Sequence, residues 1–269
     1  QRTRQSLVSS LEVPPMPALA HVLPIVCPLL FLAGFADSIA GGGGTISVPS
    51  ALLAGIPIHT AYGTNKLAMS LGTLTSVIQY GRKGKICWFT ALFAAAGALA
   101  GSPLGALLAM HLSEKYLSYC LMVLLPAAAL FLSLNKGFGQ TPKHRDLSRL
   151  QQAVYALLIG LGVGAYDGFF GPGAGTFYII LFCTVLGTDL VQASGNAKVV
   201  NLASNTGALV TYILGGKVWF AAGLPMAVCA IAGNFLGSRL AIKNGARFIR
   251  PIMAVMILLI LVKLILDVF

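Results

Sequence analysis

Charged side chains are scarce in this sequence, and acidic ones are the scarcest. Asp, Glu, Lys and Arg make up 9% of the 269 residues, and only 7 residues are Asp or Glu. A soluble domain carries about 25% charged residues, so this chain has too few to cover a surface that faces water. The composition therefore excludes a soluble enzyme. It also excludes a disordered chain, because disorder needs low hydrophobicity and 57% of these residues are hydrophobic.

Signals for metals, cofactors and catalysis are also missing. The five cysteines are scattered without a CxxC motif, and the four histidines form no pair. A Walker A loop needs Gly-Lys-Ser/Thr after its glycines, whereas Gly44 is followed by Thr45. The apolar stretches hold no Ser-His pair, paired carboxylates or cluster of metal ligands. We therefore predict no catalytic residue, no metal site and no cofactor.

Long apolar stretches are what the sequence has instead. Residues 88–110 contain no charged residue, and a transmembrane helix needs about 20 predominantly apolar residues. Comparable stretches lie at residues 18–36, 67–80, 117–135, 152–166, 199–214, 218–238 and 251–266. The sequence thus predicts an all-α polytopic membrane protein, with the lipid bilayer as its surroundings.

The net charge of +11 is explained by membrane orientation and does not call for nucleic acid. Lys and Arg cluster at residues 82–85, 136–149 and 239–250, and cationic loops prefer the cytoplasm. Eight spans with the N-terminus inside leave the cluster 239–250 outside. Ten spans, with 45–56 and 176–187 also crossing, bring all three clusters inside. Both topologies place equal numbers of cationic residues inside, so both remain open.

The chain repeats itself. GFADSIAGGGGT, beginning at Gly34, aligns with GAYDGFFGPGAGT, beginning at Gly164, and further on an offset of 132 pairs Lys66 with Lys198. Such duplication is common in secondary transporters, whose substrate sites lie at the repeat interface. We predict an N-terminal tail (1–17), a first transmembrane repeat (18–135), a polar loop (136–150) and a second transmembrane repeat (151–269). Each repeat holds about four helices, or five if the short pieces cross. An even number makes the repeats parallel, and an odd number makes them inverted.

Glycine clusters interrupt both repeats. Residues 41–44 are all glycine, and residues 171–175 read Gly-Pro-Gly-Ala-Gly, which cannot continue a helix cheaply. Backbone breaks at membrane depth occur only where they are buried in protein or line a wet cavity. An apolar piece of about 12 residues follows each break, as expected for a half-helix opened by Thr45 or Thr176. Its free N–H groups would form an anion site.

Other glycines have the spacing that lets helices pack closely in lipid. These are Gly97, Gly101 and Gly105 in the first repeat and Gly233 and Gly237 in the second. We assign them to helix packing.

Lys66 and Lys198 each lie at the edge of a predicted span, where an ammonium tends to mark a transport pathway. Snorkelling to the membrane surface is the alternative. Polar side chains on the same helix face could join the lysines around an oxyanion. They are Ser70 and Thr73 in the first repeat and Asn201, Ser204 and Asn205 in the second. Asp37 and Asp167 are candidate proton carriers, counter-ions of the lysines or helix caps.

These same residues carry a family resemblance. AGFADSIAGGGGTISVPS and GTNKLAMSLGTL in the first half, with YDGFFGPGAGTFYIILF and AKVVNLASNTGALV in the second, resemble the signature repeats of the sulfite exporter TauE/SafE family. The similarity extends from about Leu30 to Lys263. The resemblance implies a multi-pass protein of the bacterial inner membrane that exports sulfite, sulfonates or related small anions. An importer or a channel of the same architecture is the alternative, and a homo-oligomer is left open.

The predicted substrate site combines the two glycine breaks with the lysines and their polar neighbours. Its residues are Gly41, Gly42, Gly43, Gly44, Thr45, Asn65, Lys66, Ser70, Gly171, Gly173, Gly175, Thr176, Lys198, Asn201 and Asn205. Proton coupling, where present, would use Asp37 and Asp167.

Overall fold

A computed structural model of the protein describes residues 16–113, 116 and 147–256. The described residues contain helices and no strand, which confirms the all-α prediction for this part of the chain. Residues 246–256 are also helical. The eight helices before them are α1 (Leu19–Ala40), α2 (Gly44–Leu53), α3 (Ile58–Arg82), α4 (Trp88–His111), α5 (Arg149–Phe169), α6 (Ala174–Val185), α7 (Leu190–Leu214) and α8 (Phe220–Asn244).

Three of these helices, α1, α4 and α8, are long and apolar enough to cross a membrane. They match the predicted spans 18–36, 88–110 and 218–238. The predicted spans 67–80, 152–166 and 199–214 begin too late, because α3, α5 and α7 also include the polar residues before them. Lys66 is consequently the ninth residue of α3 and not a residue at its edge. The predicted span 117–135 lies outside the described residues.

The two glycine clusters end one helix and begin a short one. Gly41 closes α1 with a left-handed backbone (φ +76°), and its N–H donates to the carbonyl of Asp37 at 2.7 Å. Gly171 and Gly173 adopt φ +89° and +80° between α5 and α6. The short helices have 10 and 12 residues and begin at Gly44 and Ala174, slightly before the threonines expected to open them.

Helices α1, α3 and α8 run in the same direction. In α3 and α8 residue numbers rise together, since Ser76 donates to Asn234 at 2.8 Å and Gln79 donates to Ser238 at 2.8 Å. The α1–α8 contact has the same order. Here Gly233 and Gly237 of α8 lie against the backbone of α1: Gly233 meets Phe31, and Gly237 meets Phe35.

Helices α4, α5 and α7 are also parallel to one another. Ser102 of α4 donates to the carbonyl of Ser204 in α7 at 2.6 Å, and Asn196 donates to Thr90 nearer the start of both helices, at 3.3 Å. The α4–α5 contact is a glycine seam in the same order. In it Gly97, Gly101 and Gly105 face the carbonyls of Leu157, Leu161 and Ala165. Both predicted glycine series thus lie where backbones touch.

The two groups of helices run in opposite directions. Thr64, near the start of α3, accepts a hydrogen bond at 2.9 Å from the N–H of Trp219, beyond the end of α7. At the other end Asn196, near the start of α7, accepts one at 2.8 Å from the N–H of Cys87, beyond the end of α3. Helices α3 and α7 are therefore antiparallel.

The short helix α2 leads back toward the end where α1 begins. Since α1 and α3 are parallel, the chain between them has to return, and a Cβ placed on Gly55, after α2, would lie 4.0 Å from Pro17, before α1. In the eight-span topology α1 and α3 are consecutive spans and have to be antiparallel, which disagrees with the structure. In the ten-span topology α2 crosses between them, so α1 and α3 are parallel, as the described helices are.

The helix directions collect nearly all exposed charge of the described residues at one end. Arg82 ends α3, Lys83 and Lys85 follow it, Arg149 opens α5, and Asp189 caps α7 at that end. Four further cations lie at or just beyond the end of α8: Arg239, Lys243, Arg247 and Arg250. Lys217 is the single charged residue at the opposite end of the described chain, and the remaining four charges are buried.

Candidate functional site

Two buried ion pairs lie at the centre of the helices, and each joins a residue before position 113 to one after position 147. Lys66 Nζ is 3.0 Å from Asp167 Oδ1, and Lys198 Nζ is 3.0 Å from Asp37 Oδ2. The lysine side chains are 3% and 0% exposed, and both aspartate side chains are 7% exposed. The lysines therefore do not snorkel to a surface.

Each lysine also binds the end of the helix that carries its aspartate. Lys66 Nζ donates to the main-chain carbonyl of Asp167 at 2.9 Å, and Lys198 Nζ donates to that of Asp37. Carbonyls in the last turn of a helix form the negative end of its dipole, and the carbonyl of Asp37 accepts from Lys198 as well as from the N–H of Gly41. The glycine breaks create these helix ends, so the local sequence accounts for the position of both ammonium groups.

The two ion pairs differ in the number of further hydrogen bonds that their side chains make. Lys66 uses its third donor on Asn205 Oδ1 at 3.0 Å, and Asp167 Oδ2 accepts from the hydroxyl of Ser204. Lys198 has no third partner among the described residues. By the offset of 132, the residue equivalent to Asn205 is Thr73. The hydroxyl of Thr73 is buried without a hydrogen bond. The pair of Lys198 is the less fully bonded one.

A cavity of about 30 Å³ lies between the two pairs and the glycine breaks. The lining residues are Asp37, Gly41, Gly44, Asn65, Lys66, Met69, Asp167, Gly171, Gly175, Asn201 and Asn205. All of them except Met69 were singled out from the sequence.

The backbones of the two breaks touch at this cavity. A Cβ placed on Gly41 would lie 2.3 Å from the carbonyl carbon of Gly175, and one on Gly175 would lie 2.4 Å from the carbonyl oxygen of Gly41. A Cβ on Gly44 would lie 3.2 Å from Pro172. Only glycine permits the first contact, because real Cβ atoms do not approach backbone this closely.

Four predicted site residues lie beside the cavity without lining it. Gly42 is covered by the side chain of Met256, and Gly43 packs against the Cβ of Asp37. Gly173 caps α6. Lys198 approaches the cavity only through its ion pair with Asp37.

The hydroxyl groups predicted for the site are bonded to backbone instead. Thr45 donates to the carbonyl of Gly42 at 2.6 Å, and Thr176 donates to the carbonyl of Ala40 at 2.8 Å across the two breaks. Ser70 donates to the carbonyl of Lys66, one turn back in its own helix, at 2.7 Å. In this conformation all three support the breaks and α3, because a hydroxyl in an apolar helix can bond the preceding turn.

Met69 is the cavity residue that sequence reasoning missed. It is apolar, so it gave no chemical signal, but the offset of 132 that pairs Lys66 with Lys198 also pairs Met69 with Asn201. The reciprocal partner of each lysine was likewise not assigned, although counter-ions were considered.

No group of three or more His, Cys, Asp or Glu residues in the described ranges could hold a metal ion. The chemistry available at the cavity is that of two lysine–aspartate pairs and three amide side chains. These groups can bind an anion and carry protons.

Comparison with known proteins identifies a family of membrane transporters. Residues 26–264 match the family described as sulfite exporter TauE/SafE. The chain is 36% identical over 247 residues to the probable membrane transporter protein ORF9 of a Sinorhizobium species, covering 92% of this chain and 94% of the relative. It is 37% identical over 254 residues to the probable membrane transporter protein YfcA of Escherichia coli K12, covering 93% of each.

The similarity extends to more distant bacteria. The probable membrane transporter protein YdhB of Bacillus subtilis is 26% identical over 226 residues, which cover 82% of this chain and 92% of the relative. No solved structure matches the chain significantly. Given a family match over almost its whole length and relatives of similar size, the chain belongs to the sulfite exporter TauE/SafE family of membrane transporters.

Proposed function

We propose that this protein is a secondary transporter that exports a small sulfur-containing anion, sulfite or a sulfonate, across the bacterial inner membrane. The observation that carries the proposal is the pair of buried lysines, each neutralised by an aspartate, around a small polar cavity. The family name supports the substrate class. The cavity offers the ammonium and amide donors that an oxyanion needs, from Lys66, Asn65, Asn201 and Asn205.

We also propose that the two sets of four helices are inverted copies of one unit. Support comes from the element order, in which helices of 22, 10, 25 and 24 residues are followed by helices of 21, 12, 25 and 25 residues. Equivalent contacts also occur twice: a lysine of the first set pairs with an aspartate of the second, and a lysine of the second set pairs with an aspartate of the first. Inverted repeats meeting at a central site are a common basis of alternating access.

The cationic end of the helices is proposed to face the cytoplasm. The positive-inside rule favours this orientation, and it corresponds to the ten-span topology with the N-terminus outside. The interior-negative potential then favours export, because each net negative charge leaving the cell gains about 2.3 kcal/mol per 100 mV.

Proton binding would couple to anion binding through the aspartates. The four buried charges sum to zero, so no cation is free while both carboxylates are ionised. Protonation of Asp37 or Asp167 releases an ammonium, and an anion can then replace the carboxylate as its partner. An unpaired ammonium inside a membrane helix costs about 2.5 to 3.5 kcal/mol on insertion scales. The proton and the anion should therefore bind together, so the membrane potential favours export only of an anion that still carries net negative charge with its proton, as divalent sulfite does.

The test is flux in proteoliposomes that contain the purified protein. We expect saturable efflux of radiolabelled sulfite or methanesulfonate that shows counterflow and accelerates when the vesicle interior is made more acidic than the outside. Flux without saturation or counterflow would identify a channel, and net uptake under physiological gradients an importer. Absence of potential- or pH-driven flux for every oxyanion tested would overturn the transporter proposal.

A further inference from the structure

A groove of about 640 Å³ lies on the surface of the protein between α3 and α8. It is at the cationic end of these helices, away from the central cavity. It is lined by Gln79, Arg82, Lys83, Phe235, Arg239, Ile242 and Lys243. Gln79 fixes its floor, since the side-chain amide donates to the carbonyl of Phe235 and to the hydroxyl of Ser238, both at 2.8 Å.

The four cations of the groove have no anionic partner. Neither Arg82, Lys83, Arg239 nor Lys243 makes an ion pair or hydrogen bond with any described residue, whereas both buried lysines are paired. Their place at the ends of α3 and α8 suits the helix dipoles and the positive-inside rule. Neither effect requires that side chains from two helices converge on one groove.

An exposed apolar strip runs along the same two helices, toward the membrane interior. On α3, Ile78 and Leu74 lie one and two turns before Arg82 and are 44% and 42% exposed. On α8, Phe235 and Ile231 lie one and two turns before Arg239 and are 50% and 37% exposed. Residues four apart lie on the same helix face, so the cations stand at the membrane-surface end of an apolar surface.

We propose that this groove binds the phosphodiester headgroup of an anionic phospholipid, with the acyl chains against the apolar strip. Basic pockets between transmembrane helices on the cytoplasmic side bind such headgroups. Arginine forks match phosphate oxygens bidentately, and lysines add point charge. A free anion would use the cations but leave the apolar strip unoccupied, so the two ligand sources are distinguishable.

The test measures lipid binding to the purified full-length protein in detergent, without any transport assay. Native mass spectrometry would count bound cardiolipin and phosphatidylglycerol against phosphatidylcholine for wild type, R239Q/K243Q and K217Q. Arg149, at the same end but on α5, provides a second control as R149Q. Size-exclusion profile and melting temperature would show that each variant is folded.

We expect the anionic lipids to bind wild type and both control variants, with phosphatidylcholine binding only weakly. Removing one cation should weaken binding about fivefold and removing both about 25-fold, from about 1 kcal/mol per cation near an anionic surface. Millimolar inorganic phosphate should not displace the lipid. Equal lipid binding by R239Q/K243Q and wild type, or full displacement by inorganic phosphate, would overturn the proposal. Since transport is not measured, its absence in vesicles would leave this result unaffected.

Discussion

Each buried charge of the site depends on one partner from the other set of helices. Lys198 reaches Asp37 across a separation of 161 residues, and Lys66 reaches Asp167 across 101. Removing one member of a buried pair costs about 3 to 5 kcal/mol, because the other charge loses its partner, whereas replacing both with apolar residues is often neutral. Stability and transport should therefore respond differently to single and double substitutions.

Lys198→Met should destabilise the fold by about 3 kcal/mol or more, because Asp37 would be left buried and unpaired. The double substitution K198M/D37L should recover most of that stability and still fail to bind methanesulfonate. Thermal unfolding in detergent measures the first effect and isothermal titration the second. Anion binding by the folded double variant would remove Lys198 from the site.

Asp37→Asn should strengthen the binding of methanesulfonate, because Lys198 would lose the carboxylate that competes with an anion for its ammonium group. The added anion should also raise the melting temperature of the variant more than that of wild type. Isothermal titration with methanesulfonate and thermal unfolding in detergent measure the two effects.

Asp189→Asn is the matched control, because Asp189 is exposed and its carboxylate only caps α7, through the N–H groups of Val191 and Gln192. Equal affinity of Asp37→Asn and wild type for methanesulfonate would refute competition between the Asp37 carboxylate and the anion. The lower hydrogen-bond count of the Lys198 pair leads us to expect a larger effect at Asp37 than at Asp167.

Residue identity could be predicted from the sequence where chemistry is unusual. A lysine, an aspartate or a glycine run is conspicuous in an apolar helix, so ten of the eleven cavity residues were found that way. Met69 was missed, since a methionine in a membrane helix looks like ordinary packing. Which aspartate neutralises which lysine depends on tertiary contacts between distant segments, and no local pattern encodes it.

The long helices are held together by glycine seams. Within a bilayer no hydrophobic force drives helices together, so close backbone approach and dispersion contacts have to supply the attraction. In α4 a Cβ on Gly105 would lie 2.0 Å from the carbonyl oxygen of Ala165 in α5. A Cβ on Gly162 of α5, by contrast, would have nothing within 4 Å of it.

Gly105→Ala should therefore separate α4 from α5 and destabilise the protein by about 1 to 3 kcal/mol, as overpacking does. Gly162→Ala introduces the same methyl group into open space and should leave stability unchanged or raise it, because alanine favours helix by about 1 kcal/mol over glycine. Melting temperatures of the two variants test the difference. Equal loss in both would show that the seam does not hold these helices.

The apolar runs of the sequence predicted where the long helices lie, but they did not predict the residues at which these helices begin and end. α3 and α7 extend nine residues before the predicted spans, because their polar first turns are buried against other helices and not exposed to lipid or water. A span predicted from hydropathy ends where polar residues begin. This rule fails for the helices that build a polar centre, and it holds better for α1, α4 and α8, whose lipid-facing sides are mainly apolar.

At the scale of the molecule, the directions of the described helices bear on the number of spans, which composition left open. The charge rule could not choose between eight and ten spans, since both gave the same balance. Parallel α1 and α3 remove the eight-span choice, and nine exposed charged residues then fall at one end. Overall direction depends on which helices touch, and this information is absent from local sequence.

Cysteine labelling can test the orientation in whole cells. In a background free of the five native cysteines, Lys83→Cys should react with a membrane-impermeant maleimide only after the cells are opened. Lys217→Cys, at the opposite end, should react in intact cells. The reverse pattern would place the cationic end outside the cell and contradict the proposed orientation.

The crossed ion pairs also bear on how such a protein could have arisen. If the two halves descend from one duplicated gene, the ancestral product held a lysine and an aspartate that could not satisfy each other within one copy. A pairing of two copies with opposite membrane orientation would have satisfied both.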